Sequence, residues 1–325
     1  MIPARMQAGA SSWIFPNQLS DLKLWLDGVD TSTITKTYQN ITPTGSGTSG
    51  STTITASASM AALAQVGNEI RIGGTDIYTI SAISTVTITT AETLTSNYSA
   101  GSVLALDKIS QLTDKSGSSN TATQATADSQ PSFVPSIKNT KNGIGFDGIN
   151  DAFAIASSAS MDNIFGTGGS QIFVINPRGN GGGGNGRLCE KTYQMIVSGL
   201  SGGNFNFIFT QPTSGADWQW TTASRLIAQN GYSIVIITYN AATASTAPQV
   251  YINSSSNTSL NVTGTGSSTA TSDAGVQYTL GNRTALDRAY NGLIMEAIAY
   301  KRILSAAEIR QVLLYLANKW KIVVG

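Results

Sequence analysis

The chain contains no histidine, so the commonest general base, metal ligand and physiological pH switch are missing from its chemistry. Any catalysis would fall to carboxylates, Lys, Tyr or Ser. The pattern best suited to ligand contact is Asp217, Trp218 and Trp220 in the run ADWQW. Aromatic faces stack on sugar rings while a neighbouring carboxylate takes hydroxyls. Two residues apart on a strand, Trp218 and Trp220 share one face. Such a pair suits a glycan surface, but paired Trp in a sandwich more often fill a core or a subunit interface.

The other reactive groups read as structural. Asp27, Asp30, Asp114, Asp147 and Asp151 sit in turn contexts. They could offer oxygens to calcium, but no EF-hand spacing surrounds them and turn formation by Asx side chains is the reading adopted. No other cofactor is expected. The run RGNGGGGNGR at residues 178–187 formally satisfies a dinucleotide fingerprint, yet no helix follows it, so it reads as a mobile hairpin tip. Cys189 is the only cysteine; it excludes an intrachain disulfide framework and reads as a small half-buried residue in a strand. Sequons in so Ser/Thr-rich a chain arise by chance and receive no weight.

The elements that position these residues are mostly strands. LKLWL at residues 22–26 alternates as a half-buried strand, and further β-prone runs recur to YNGLIMEAI at residues 290–298. Nothing suggests alternating βαβ units, so the spacing predicts a two-sheet antiparallel sandwich. The Ser/Thr-rich residues 253–272 read as one hairpin with a long loop. A single amphipathic helix closes the chain over residues 305–320: Ile309, Val312, Leu313, Leu316 and Trp320 recur at helical spacing, and Ser305 with Glu308 forms a capping box.

Composition sets the outer limits. Nineteen Lys plus Arg balance 18 Asp plus Glu, for a net charge of +1, and 11% of residues are charged. No broad attraction to nucleic acid or an anionic membrane follows. No run of about 18 apolar residues is present, so no membrane insertion is expected, and residues 1–15 lack the continuous apolar core of a signal peptide. At 325 residues the chain exceeds the roughly 250–300 that one core organises. Residues 39–108 change in composition toward Thr, Ser, Gly and Ala, and Gly73-Gly74 between EIRI and TDIYTISAI signals a hairpin. The expected organisation is an N-terminal arm over residues 1–20, a sandwich from residues 21–38 and 109–325, and an inserted small β-barrel-like domain over residues 39–108. The arm carries Met6, Trp13, Ile14 and Phe15, apolar side chains that would gain order by lying against a neighbour or the chain's own body.

LWLDGVD at residues 24–30, DKSG at 114–117, QPSFV at 130–134 and GIGFDGINDAF at 143–153 follow one another as in laminin-G-like, concanavalin A-like jelly-roll domains, which this chain resembles. The ending YNGLIMEAIAYKRILSAAEIRQVLLYLANKW is similar to the final strand and helix of that family, a G-x-I-x-E-x-x-x-Y pattern followed by L-S and a helix. Family members pass almost directly from the first of these motifs to the second, and the intervening residues here support an insertion. The Glu-x-Asp-x-x-Glu strand of the glucanases in this group is absent, and Glu190, Glu296 and Glu308 are isolated, so no enzyme is expected. The insert is similar to small β modules of phage tail and fibre proteins. These resemblances imply a structural protein of a tailed-phage virion, as capsid decoration, head fibre or tail component, assembled in the bacterial cytoplasm. Its partners would be other virion proteins, with homo-oligomerisation, a trimer by analogy. The alternative is a module that attaches the particle to host surface glycans.

Overall fold

Runs such as QIFVI and SIVIITY show no polar alternation, and the architecture explains why. The structure, a computed structural model, describes residues 14–60 and 64–325. It is an antiparallel, nearly all-β sandwich with one C-terminal helix. In the first sheet Asn291–Tyr300 pairs along one side with Gly169–Gly179, and on the other with Leu22–Asp27 and Lys141–Asp147. Gly169–Gly179 continues to Ser233–Tyr239, which pairs with Gln249–Ile252. Alternate residues of these strands serve different cores. Phe173, Ile175, Val235 and Ile237 point between the sheets, whereas Ile172, Val174, Ile234 and Ile236 lie under the helix. A sheet covered on both faces needs apolar residues at every position.

The second sheet keeps a period of two because only one of its faces is covered. Asn204–Gln211 sends Phe205, Phe207 and Phe209 inward and leaves Asn204 and Asn206 half-buried outside. Each such Phe contributes about 1.5–3 kcal/mol by leaving water. This strand pairs with Gln194–Ser201 and Trp218–Thr222, and Leu260–Gly264 adds the outer edge. Residues 253–272 therefore form no hairpin: the chain leaves the first sheet at Ile252 and re-enters in the second, because the partner of Leu260–Gly264 is Trp218–Thr222.

The helix runs Ala306–Trp320. Ser305 and Glu308 form the reciprocal capping box, Arg302 holds Glu308 with two hydrogen bonds of 2.9 and 2.8 Å, and Lys321 ends the helix at φ 50°. Its buried face is the one the spacing predicts, Ile309, Val312, Leu313, Leu316 and Trp320.

Residues before and after the insertion enter one core, since Leu24 and Leu26 pack in the same cluster as Ile144 and Phe146. The interruption is a long ribbon in which Ile34–Gly47 and Tyr98–Leu112 pair along most of their length. Its far half holds a cluster of its own, with Ile54, Ile70, Ile72, Tyr78, Ile80, Ile88, Leu104 and Leu106. Its near half puts Ile109 and Leu112 into the sandwich core. The expected boundaries at residues 39 and 108 thus fall inside continuous strands. Residues 73–75 make the three-residue turn between Glu69–Ile72 and Asp76–Ser84, with Gly73 and Gly74 at φ values of 67° and 99°, a conformation glycine enters without steric cost. Asp107, fully buried, takes Arg71 through 2.5 and 2.9 Å hydrogen bonds and Lys36 at 3.1 Å, tying three strands of the insert.

Candidate functional site

Where the loops of one end of the sandwich converge, a cleft of about 210 Å³ opens among Asn163, Phe165, Thr192, Tyr193, Gln211, Ala241 and residues 270–273. A buried lysine builds it. The Lys191 side chain is fully buried, and its ammonium reaches Met161 O at 3.0 Å, Asp273 O at 2.8 Å, Asp273 Oδ1 at 2.6 Å and Asp162 Oδ1 at 3.3 Å. A charge so placed is stable only when paired and hydrogen-bonded, and here the pairing joins the loop after Ile155 to the one before Tyr278. Asn163 completes the link. Its backbone N–H donates to the Asp273 carboxylate, while its side-chain oxygen accepts from Asp273 N at 3.1 Å and the Ser272 hydroxyl at 3.0 Å. Asn163 adopts φ 49°, a left-handed conformation that Asn tolerates. The Ser157 hydroxyl and the Lys191 ammonium hold the Asp162 carboxyl below its ordinary value.

The apolar wall is aromatic. Phe165 meets Tyr193 edge-on at 4.8 Å and packs against Phe209 and Tyr239 at 5.9 and 5.7 Å. Burial pushes the Tyr193 hydroxyl well above its ordinary range, so it stays protonated, joined to the Gln171 amide. The cleft therefore presents amides and hydroxyls over a buried aromatic floor. Its carboxylate, Asp273, is already engaged by Lys191 and Asn163.

The residues predicted from sequence fall beside this cleft. Asp217 is exposed. Trp220 is 1% exposed, stacked between Phe209 and Trp218 at 6.0 and 5.8 Å, so it is a core residue and offers no face to a sugar. The shared-face reading of the pair is right, but the face points inward. Trp218 is half-buried, and its Nε1–H donates to Ser267 O at 2.7 Å. Ser267 N in turn donates to Thr213 Oγ1 at 3.1 Å, and Thr213 bridges to Ala270. Trp218 thus braces the loop whose residues 270–273 form one wall of the cleft. Sequence reasoning missed Lys191, Asn163, Gln211 and Asp273; Lys191 stands between Glu190 and Thr192, with no local sign of its burial.

Of the arm, Ile14 packs on the helix-side core and Phe15 meets Tyr315 edge-on at 5.3 Å, remaining 55% exposed. Met6 and Trp13 lie outside the described residues. The turn aspartates serve the backbone. Asp114 accepts from the amides of Trp25, Ser116 and Asn120, each at 2.9 Å, and Asp147 from Ile149 N at 2.8 Å. Among the described residues no three acidic or thiol side chains are grouped to hold a metal ion. The glycine loop is no hairpin tip: it joins strands of different sheets and packs on residues 287–289, where a Cβ on Gly181 would sit 2.3 Å from Ala289 O. Burial pushes the Cys189 thiol up to about 12, which keeps it protonated and unreactive.

Residues 150–310 match the family described as the concanavalin A-like lectin/glucanases superfamily, and the cleft lies wholly inside that stretch. The sandwich is accordingly consistent with a concanavalin A-like jelly roll. No curated protein matches the chain. Among solved structures it is similar to the binding domain of Paraclostridial Mosquitocidal Protein 1, with TM-score 0.45, 16% identity, and coverage of 64% of this chain and 50% of that one. It is similar to the botulinum neurotoxin serotype D ligand-binding domain in complex with N-acetylneuraminic acid, at TM-score 0.43, 14% identity and coverage of 63% and 48%. An arabinofuranosidase complexed with arabinofuranosyl-alpha-1,2-xylobiose matches at TM-score 0.44 and 11% identity, covering 92% and 66%. The chain spans about half the length of the two binding domains it matches.

Proposed function

We propose that this chain is a carbohydrate-binding module whose end cleft holds one ring of a glycan. The observation that carries this reading is the cleft itself: amides and hydroxyls of Asn163, Gln211, Thr192 and Ser272 around a floor whose rings, Phe165 and Tyr193, are each 1% exposed, inside the stretch that matches the lectin/glucanase family. A sugar ring pairs its C–H face with aromatic groups and its hydroxyls with such donors and acceptors. The reading assigns recognition and no turnover. Thr271 is exposed at the rim, so Thr271→Trp fills the cleft while sparing the core. On a glycan array the full chain is expected to bind selected neutral glycans, and Thr271→Trp to lose at least tenfold in affinity with an unchanged unfolding midpoint. Array binding that Thr271→Trp leaves intact would refute this assignment.

A second role is compatible with the first. We infer that the module is displayed on a tailed-phage particle, with residues 39–108 as an appended unit and the chain self-associating. Low charge density supports this, because few charges must be desolvated when copies pack, as do the exposed apolar side chains of Val66, Ile77, Val86 and Val103 on that unit. Deleting residues 1–15 is expected to abolish incorporation into particles while the sandwich still folds. Particles that take up the shortened chain at the normal copy number would remove the arm from the account.

A further inference from the structure

A second opening lies where the inserted ribbon meets the sandwich, a cavity of about 290 Å³ with walls from both. The ribbon supplies Ile41 and Lys108; the sandwich supplies Asp128, Asp147, Ile149 and Asn150. Lys108 is 7% exposed, and among the described residues its nearest carboxylate oxygen is Asp151 Oδ1 at 3.7 Å, longer than a hydrogen bond. That oxygen has no hydrogen-bond partner although Asp151 is fully buried. The other Asp151 oxygen accepts from Asp147 N at 3.0 Å. A buried ammonium and a buried carboxyl oxygen thus face one another beyond hydrogen-bond length, and the lysine forms part of the cavity wall. Buried polar groups in folded proteins are nearly always satisfied, by protein, water or ligand.

The lining also specifies chemistry. Asp147 Oδ1 receives the amide of Ile149 at 2.8 Å, and one Asp128 oxygen receives the Gln39 amide; both carboxylates belong to the cavity lining and keep acceptor capacity on their second oxygens. An anion would gain Lys108 but meet two carboxylates; a cation would gain the carboxylates but meet the ammonium. A neutral hydroxyl both donates and accepts, so a polyol satisfies both signs at once. Ile149, 56% exposed at the mouth, and Ile41 give an apolar surface for the C–H face of a ring. We propose that this seam is a second binding site, selective for an uncharged polyhydroxylated ring of monosaccharide size, and that the insert is present in part to build it. The class of ligand agrees with the carbohydrate-binding reading, but the site stands on its own residues.

The test uses the full chain, titrated by ligand-observed NMR with the methyl glycosides of glucose, galactose and mannose. Thr271→Trp closes the end cleft, Ile149→Trp closes the seam from an exposed position that leaves the core intact, and Lys108→Met removes the ammonium. At least one methyl glycoside is expected to bind saturably to the Thr271→Trp protein, and to lose tenfold or more in affinity when Ile149→Trp or Lys108→Met is added. If Thr271→Trp alone abolishes all binding, the seam is not a site and the end-cleft reading stands. If binding survives Thr271→Trp and vanishes with Ile149→Trp, the seam holds whatever becomes of the end cleft. Tenfold tighter binding of glucuronate or of glucosamine than of the neutral glycosides overturns the selectivity argument.

Discussion

Glu296→Ala is expected to destabilise the protein by about 3–5 kcal/mol, the cost typical of removing one partner from a buried ion pair. Glu296 is 1% exposed in the middle strand of the first sheet. One of its oxygens accepts from Trp320 Nε1 and from the Lys319 ammonium, both at 2.7 Å, and the other from Trp25 Nε1 at 3.1 Å. Lys319 also reaches Asp27 Oδ1 at 2.9 Å, and Asp27 Oδ2 takes Lys115 at 3.0 Å. Burial works against the Lys319 charge, but the Glu296 and Asp27 carboxylates outweigh it and hold the ammonium charged. Alanine at 296 leaves that ammonium half-compensated and two indole N–H groups without acceptors, each unsatisfied group costing about 1–3 kcal/mol. Glu296→Gln keeps an acceptor for the indoles but loses the charge, so an intermediate loss is expected. Urea titration followed by tryptophan fluorescence reads both variants. A loss below about 1 kcal/mol for alanine would mean that the network does not hold the helix to the sheet.

That network shows which parts of the molecule can be read from sequence and which cannot. Local signals carried: Ser305 and Glu308 are three apart and form the cap, and the apolar spacing from Ile309 to Trp320 is the face that packs. The order of short motifs carried the sandwich architecture, because each motif is a turn or strand defined by neighbours in the chain. Glu296 stood out only through a resemblance, since its partners come from positions 25, 319 and 320 and meet only in the folded state. Trp218 and Trp220 mark a second limit. A period of two places both on one face, but it does not say whether that face looks outward; the register with Asn204–Gln211, which sets Trp220 opposite the inward-facing Phe209, turns it inward. The end cleft was the least legible element. Lys191 and Asp273 are 82 residues apart, and neither has a local partner that would mark it as more than a solvated charge. Residues 39–108 illustrate a third case: their composition suggests a separate unit, whereas the strands run without a break across both expected boundaries, because backbone pairing continues where composition changes.

Asp151→Asn is expected to flatten the pH dependence of stability between about pH 4 and pH 8. Burial pushes the Asp151 carboxyl up from 3.8 to about 8; the Lys108 ammonium opposes the rise and the Asp147 carboxylate adds to it. The sign follows from proton counts. Between the two values the unfolded chain has released this proton while the folded protein keeps it, so stability falls as pH climbs, by up to about 1.4 kcal/mol per pH unit, and levels off above about 8. Below 3.8 both states hold the proton and the group contributes no slope. Carboxyls with the opposite shift, such as Glu308 beside Arg302, held at about 2, lose their contribution as pH falls through the acid range, well below this window. Asparagine keeps an oxygen for Asp147 N and cannot ionise, so the variant should gain on the wild type steadily from pH 4 to pH 8. Above that range its neutral amide leaves Lys108 without the counter-charge that an ionised Asp151 supplies, and the gain should stop growing. Unfolding free energies from urea titrations at pH 4, 6, 8 and 9 give the difference directly. Parallel curves for the two proteins would show that Asp151 is ionised in the folded state at neutral pH, and that its ammonium neighbour compensates it fully across 3.7 Å.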